Sequence, residues 1–472
     1  MNDSLQNSEM VRKLQRRNVL KSAGLAGSAA ITGLAGCLGG DGNGNGGNGN
    51  GDDGNGNGGN GNGDDGNGNG GNGGSDGPDV LTVIGYPEDA IQLFRDYYSA
   101  YGDDVDILIP DGLRDPDLPG QVGNDMSNII GTAPAAGGPN QTAFEDLFED
   151  EYGESPGVFT SQSYDSAAIG ILANAAAGEN SGEAIRDQMR NVCNPGGMEI
   201  GPGNFLEGVE AAANGEEIQY QGASSSTNFD ENGDPAEAAY ALWEFDDDGG
   251  TTDIETQTFE GGEPDGAGPS ADESPGGFGR EIMLGILLPE TGALASTGGP
   301  MIQAAEIPAM QVNDSDLDLE VDTQLEDTET NSQSGVSAAN SLVNAGYPYI
   351  CGTASSGVNV PVCQEVLIPN GVVGCSPSST ALSVTNLEDD GYIFRTAPSD
   401  RLQGRVMAQV ASENLGGSSS STLYVNNDYG QQLSERFSGV FEDEFDGSIL
   451  GQTAFNQGES SYSSVVNEAM SS

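Results

Sequence analysis

Histidine is absent from the 472 residues, tryptophan occurs once, and no lysine follows Lys21. Lack of histidine removes the commonest general base and zinc ligand, and the near-absence of lysine removes Schiff-base and P-loop chemistry. Positive charge of any kind is scarce: 14 basic residues stand against 74 acids, for a formal net charge of -60. Five of the 14 (Arg12, Lys13, Arg16, Arg17, Lys21) precede Cys37, which leaves nine arginines against 72 acids for the rest. Nucleic acid and anionic membranes both need Lys or Arg to displace counterions, so nucleic-acid binding is excluded.

High charge with modest hydrophobicity is ordinarily a mark of disorder. Beyond residue 79, however, apolar segments recur regularly in two large blocks. Acidic excess with Arg in place of Lys suits very high salt, where screening collapses self-repulsion over a few Å. It is the composition of a halophilic archaeon. Roughly 370 folding residues exceed one ordinary core and imply two lobes.

Residues 1–37 read as an export signal. Gln15 to Lys21 is a charged region with a twin-arginine pair, Arg16 and Arg17, followed by a small-residue apolar run too short to be a good spanning helix. The run ends in Leu34-Ala35-Gly36-Cys37, which resembles a lipobox. That resemblance implies a lipidated Cys37, export in the folded state and anchoring by membrane lipid at the outer face of the cytoplasmic membrane; a chance cysteine is the competing reading. Residues 38–78 repeat DDGNGNGGNGNG with no side chain able to build a core, so they form a flexible tether with a reach of roughly 35 Å.

From Arg280 onward, strand and helix signals alternate. EIMLGILLP is a buried strand, a helix surrounds Met301 to Val312, DLEVDTQLEDT alternates as a strand, and SGVSAANSLVNAG is a helix with a glycine stop. YIC, GVVGC and YIFRTAP are short strands; STLYVNNDYG opens another strand–helix unit, with a helix from Gln432 to Glu444, the strand SILGQTAF and a final amphipathic helix in SYSSVVNEAMSS. The missing continuation stands after the tether, in the strand PDVLTVIGYP, the helix EDAIQLFRDYYSAYG and the strands VDILIPDGL and NIIGTAP. Such alternation favours parallel, doubly wound sheets.

Read with Ser472 leading into Asp79, the chain resembles the branched-chain amino-acid type of ABC-transporter solute-binding protein. The resemblance is carried by LLPETGALASTGGPM, GTASSGVNVPV, GVVGCSPSSTALSVTN, YIFRTAPSDRLQG, TLYVNNDYG and FNQGESSYSSVV, then by VIGYPEDA, IPDGL, GTAP, SQSYDSAAIG and ALWEF. It implies the type I periplasmic-binding-protein fold: α/β, two doubly wound Rossmann-like lobes joined by a three-crossing hinge. Only the order departs, as in a circular permutation. Residues 79–262 hold the family's C-terminal portion, 263–279 a polar joint, and 280–472 its N-terminal portion. The resemblance puts Arg280 to Pro398 with Phe144 to Glu237 in one lobe, and Ser399 to Ser472, Asp79 to Pro139 and Ala239 to Phe259 in the other. A rearranged product whose portions never pack is the competing reading.

Ligands in such sheets lie beyond the carboxyl ends of the strands. Ser355 and Ser356 follow one strand end and precede a helix, and Ser379 and Thr380 stand likewise at the next, so hydroxyls and N–H groups together suit a carboxylate. Plain helix capping is the alternative. Asp111, in ILIPDGL, is where the resemblance implies the amine-binding carboxylate; a turn Asp is its rival reading. Tyr429, Tyr86 and Tyr164 match the family's cleft aromatics, and Thr297 a loop position where some relatives carry a larger aromatic. Cys351, Cys363 and Cys375 suit buried thiols, with one oxidised pair as the alternative, and Cys193 looks unpaired.

The expected function is capture of an amino-acid-like ligand, branched-chain by resemblance, and delivery to an ABC permease with its ATPase subunits. Sensory or amide- and urea-type receptors of the same fold are the alternative, against which Asp111 discriminates. No nucleophile, base and orienter occur together, so no enzyme, cofactor or metal is expected.

Overall fold

The computed structural model describes residues 77–246, 249–260 and 274–472. The proposed export signal with Arg16, Arg17 and Cys37, nearly all of the tether, and most of the joint lie outside the described residues.

Apolar runs bounded by turn residues become parallel strands because both of their faces are covered. One sheet has seven strands, in the order β14 (Ser448–Phe455), β13 (Ser419–Val425), β1 (Val80–Ile84), β2 (Asp106–Ile109), β3 (Ile129–Pro134), β6 (Glu237–Phe245) and β7 (Thr251–Glu260). Its first five strands are parallel, and β6 runs antiparallel to both of its neighbours, β3 and β7. Val80 to Ile84 pair with Ser420 to Tyr424, so strands from far apart in sequence are neighbours at the sheet's middle. Gly77 lies against the helix Ser463–Met470, where a Cβ would stand 2.8 Å from the Met470 carbonyl oxygen.

The second sheet is wholly parallel: β12 (Ile393–Arg395), β11 (Val373–Ser376), β10 (Tyr349–Gly352), β8 (Arg280–Leu288) and β9 (Leu319–Asp327). A short parallel pair, β4 (Met198–Ile200) and β5 (Ile218–Tyr220), stands apart. With helices packed on the sheets, this is the two-lobed α/β architecture that the residue pattern implied.

The helices follow local chemistry. In Ser332–Ala345, the Asn331 side chain accepts from the Gln333 and Ser334 amides, and Gly346 ends the helix at φ 98, a left-handed turn that favours glycine. The helix expected around Met301 is longer, Ala295–Asn313, and packs on Thr160–Ala177, whose 18 residues are all buried. Gly170 of that buried helix admits the Tyr349 ring: a Cβ would meet Cε1 at 2.2 Å. The same tyrosine donates to the Ser166 carbonyl at 2.6 Å, locking helix to sheet.

Large aliphatic side chains do not fill the core alone. Ser420, Ser421 and Thr422 of β13 are fully buried, as is Thr82 of β1. Thr82 and Ser420 share a hydroxyl hydrogen bond of 3.2 Å, Ser420 donates to the Val80 carbonyl at 2.9 Å, and Thr422 pairs with Ser434 at 2.7 Å. Such pairing is what makes the hydroxyls of Thr82, Ser420 and Thr422 tolerable in the core, whereas Ser421 Oγ is buried without a well-formed hydrogen bond among the described residues. Cys193, Cys351, Cys363 and Cys375 are free and buried; burial lifts the Cys375 thiol to about 11.

Among the described residues the chain passes between the lobes three times: at 135–140, after β3; at 235–236, entering β6; and at 396–399, leaving β12 for the helix Asp400–Gln409.

Candidate functional site

A pocket lies between the lobes at the carboxyl ends of their strands, where parallel α/β sheets present loops and helix starts. Tyr86, Asp111, Gly112 and Tyr429 line it from the seven-stranded lobe; Phe159, Leu294, Thr297, Met301, Ala354, Ser355, Ser356 and Ser378 line it from the other. The free space is about 20 Å³, close to water-sized. The walls touch across the gap: Tyr86 Oη and Ser355 Oγ are 2.8 Å apart. The lobes are therefore closed upon one another at this point.

Asp111 stands just beyond β2, in a one-turn 3-10 helix, Asp111–Leu113. Its Oδ1 accepts from Gln403 Nε2, and its Oδ2 from the Tyr429 hydroxyl at 3.4 Å. Burial pushes this carboxyl up to about 6, the two hydrogen bonds only partly offsetting it. Tyr429 also accepts from the Gly112 amide at 3.3 Å and stacks on Tyr86, ring centres 5.8 Å apart at 12°. Asn427 donates to Tyr86 Oη at 3.0 Å while its Oδ1 caps the helix Asp428–Asp443 through the Gly430 amide. Burial lifts the Tyr86 phenol to about 12, so it remains a neutral donor and acceptor.

Opposite lie the hydroxyls. Ser355 faces Tyr86, and Ser356 Oγ accepts from the Ala381 amide at 3.1 Å, joining the loops after β10 and β11. Ser379 does not line the pocket: its hydroxyl sits behind, within 3.0 Å of the Ala354 carbonyl and 3.1 Å of Thr353, fixing the loop that presents Ser355. Thr380 is also behind the wall, fully buried and beside Asp400.

Tyr164 is brought elsewhere, which corrects its expected place in the cleft. One turn inside the buried helix, it packs between Phe144 (5.3 Å) and Phe205 (6.3 Å) and donates to Gln311 Oε1 at 2.7 Å. Phe159, just before that helix and in a left-handed conformation at φ 61, takes the place at the pocket.

Asp400 was not singled out from the sequence, where an Asp opening a helix is ordinarily a cap. Its side chain instead turns inward. It is fully buried, and neither carboxylate oxygen makes a well-formed hydrogen bond among the described residues. Burial and then the neighbouring Asp111 hold its pKa well above the ordinary range, against lesser pulls from Thr380 and Arg395. One carboxyl, Asp111, thus lines the pocket with Asp400 near it, and Ser355, Ser356 and Ser378 and the apolar Phe159, Leu294, Met301 and Ala354 line it from the other lobe. Asp165 is a different case: Tyr220, Ala223 and Ser224 satisfy it inside the core, away from the pocket. Among the described residues, no group of three or more His, Cys, Asp or Glu side chains forms a metal-binding cluster.

Two sheets with a buried pocket at their facing strand ends define a two-lobed ligand-binding class of protein. The periplasmic binding protein model matches residues 74–244 and 281–472, and the chain belongs to that family. A Leu/Ile/Val-binding protein homolog 3 of Brucella melitensis is 29% identical over 186 residues, covering 37% of this chain and 50% of the relative. The Leu/Ile/Val-binding protein BraC3 of Rhizobium johnstonii is 30% identical over 159 residues, covering 33% and 43%. The chain spans about half the length of the curated relatives it matches. Among solved structures, a leucine binding protein LivK from Thermotoga maritima has 24% identity and a TM-score of 0.36, covering 40% of this chain and 53% of that one. LivJ from Streptococcus pneumoniae, in complex with isoleucine, has 22% identity and a TM-score of 0.35 at the same coverage.

Proposed function

We propose that this is a solute-binding protein that closes on a small amino acid, branched-chain by preference, and delivers it to an ABC permease. The observation that carries the reading is the placement of Asp111 across the pocket from Ser355 and Ser356. A zwitterion requires an anion at one end and hydroxyl or N–H donors at the other. Asp111 meets the ammonium; Ser355, Ser356 and Ser378, which line the opposite wall, meet the carboxylate. Phe159, Leu294, Met301 and Ala354 enclose an aliphatic side chain. Because the pocket as it stands is close to water-sized, a ligand enters only when the hinge opens.

The same reading takes the chain to be a circular permutant of the family. Its support is the pairing of β1 with β13, the contact of Gly77 with Met470, and a family match in two segments flanking residues 245–280. It also takes residues 1–37 as a twin-arginine lipoprotein signal with Cys37 as the lipid anchor, and the acidic composition as that of a haloarchaeon.

Calorimetry in molar salt tests the ligand. Leucine, isoleucine or valine should bind the parent, and Asp111→Ala should weaken binding about 30-fold or more, since a charged partner left buried and unmatched costs on the order of 2–5 kcal/mol. Equal binding by parent and variant would point to an uncharged solute.

A further inference from the structure

Buried carboxylates outside the pocket hold the interlobe crossings to the five-stranded lobe. Asp165, on the buried helix, accepts from the Ala223 amide at 2.9 Å and the Ser224 amide at 2.8 Å. The segment it organises receives the first crossing, through Gly137 N to Ser224 O at 3.0 Å and Gly138 N to Ala223 O at 3.1 Å. Asp234 stands at the foot of the second crossing. It is held by a two-pronged bond from Arg395, Nε to Oδ1 at 2.6 Å and Nη2 to Oδ2 at 2.7 Å.

Arg395 ends β12 at the foot of the third crossing and is fully buried. Its Nη1 donates to the carbonyls of Ser379 and Ala381, both at 3.1 Å. Its Nη2 also meets Thr385 Oγ1, which itself donates to Asp234 Oδ2 at 2.8 Å. Its amide donates to the Gly233 carbonyl at 3.0 Å. Every N–H of the guanidinium is thereby engaged.

A single side chain therefore joins the feet of two crossings to the 378–385 loop, which supplies Ser378 to the pocket and the Ala381 amide to Ser356. Buried ion pairs are weak stabilisers compared with apolar packing, whereas a planar, five-donor fork fixes geometry in a way no apolar side chain does. We propose that Arg395 is a positioning residue that couples the pocket loop to the hinge, so that events at residues 378–385 shift the crossings at Asp234 and Thr396. Its use by a ligand rests on the binding reading above; the coupling itself is present without ligand and is tested without one.

The experiment is hydrogen exchange on the full chain in molar KCl, comparing the parent, Thr385→Val and Asp234→Asn. Thr385→Val removes a hydroxyl from the fork and leaves the charge pair. It should speed exchange at the Ala236 and Thr396 amides, which bond to Asn228 and Ser376, by about tenfold, with the loop, while amides of β1 keep their parent rates. Faster exchange confined to 378–386 would overturn the coupling, as would a uniform rise that includes β1. Asp234→Asn should reproduce the pattern from the hinge side by speeding the loop amides. If that variant does not fold, Thr385→Val decides alone. Amino-acid binding by the parent is measured separately, and its absence counts against the ligand proposed above and not against the coupling.

Discussion

Asp111→Asn should stabilise the ligand-free protein and cripple its binding, and the two effects should part with pH. The carboxyl is 4% exposed and burial lifts it from 3.8 to about 6. The folded protein therefore holds this proton more tightly than the unfolded chain does. Stability from this group is fully present below about pH 4 and is lost as pH rises through about 6, the total amounting to about 3 kcal/mol. An asparagine keeps an acceptor for Gln403 and offers its NH₂ to the Tyr429 oxygen, so the hydrogen bonds survive while the buried charge is gone. It also relieves Asp400, whose carboxyl Asp111 pushes further up. Denaturant titrations of parent and variant in molar KCl, at pH 4 and pH 7.5, measure the difference directly. The variant should be more stable by up to about 3 kcal/mol at pH 7.5 and nearly equal at pH 4. Self-repulsion of the acidic surface changes with pH in both proteins and cancels in the comparison. A variant less stable than the parent at pH 7.5, or a difference that ignores pH, would refute the claim that the pocket stores an uncompensated charge.

Under the proposed anchoring, Cys37→Ser should release the protein from cell membranes into the medium, and Arg16→Lys with Arg17→Lys should trap a folded precursor inside; fractionation and immunoblotting read both. Membrane retention of the serine variant would point to another anchor. Gly170→Ala should destabilise by on the order of 1–3 kcal/mol or more, because the new methyl meets the Tyr349 ring at 2.2 Å and that ring is locked to Ser166. A thermal melt matching the parent's would show that the helix can move away from the sheet.

The strands were legible because their apolar runs are bounded by Gly, Pro and Asp, and because a parallel strand buried on both faces needs no alternation. The buried hydroxyls of β13 were less so: SSST reads as a loop by composition, yet within it Ser420 and Thr422 are core hydroxyls partnered by Thr82 and Ser434. Of the residues singled out in the sequence, Asp111, Tyr86, Tyr429, Ser355, Ser356 and Thr297 line one pocket. Tyr164 misled because helical spacing does not say which face of an all-buried helix meets the cleft, and the preceding Phe159 meets it through a backbone turn that no local pattern signals. Asp400 was hidden by its ordinary place at a helix start; only its inward side chain beside Asp111 distinguishes it.

The register of β1 against β13 also has a meaning in time. Val80 and Ser420 are bonded neighbours 340 residues apart. At roughly 5–20 residues per second, β1 leaves the ribosome on the order of 20–70 seconds before the strand that must lie beside it. All five strands of the other sheet, β8 to β12, are synthesised within that interval. Strand β1 can pair with β2 soon after both are made, but its other edge must wait for β13, an unpaired apolar edge that the acidic charge of the chain helps to keep from aggregating.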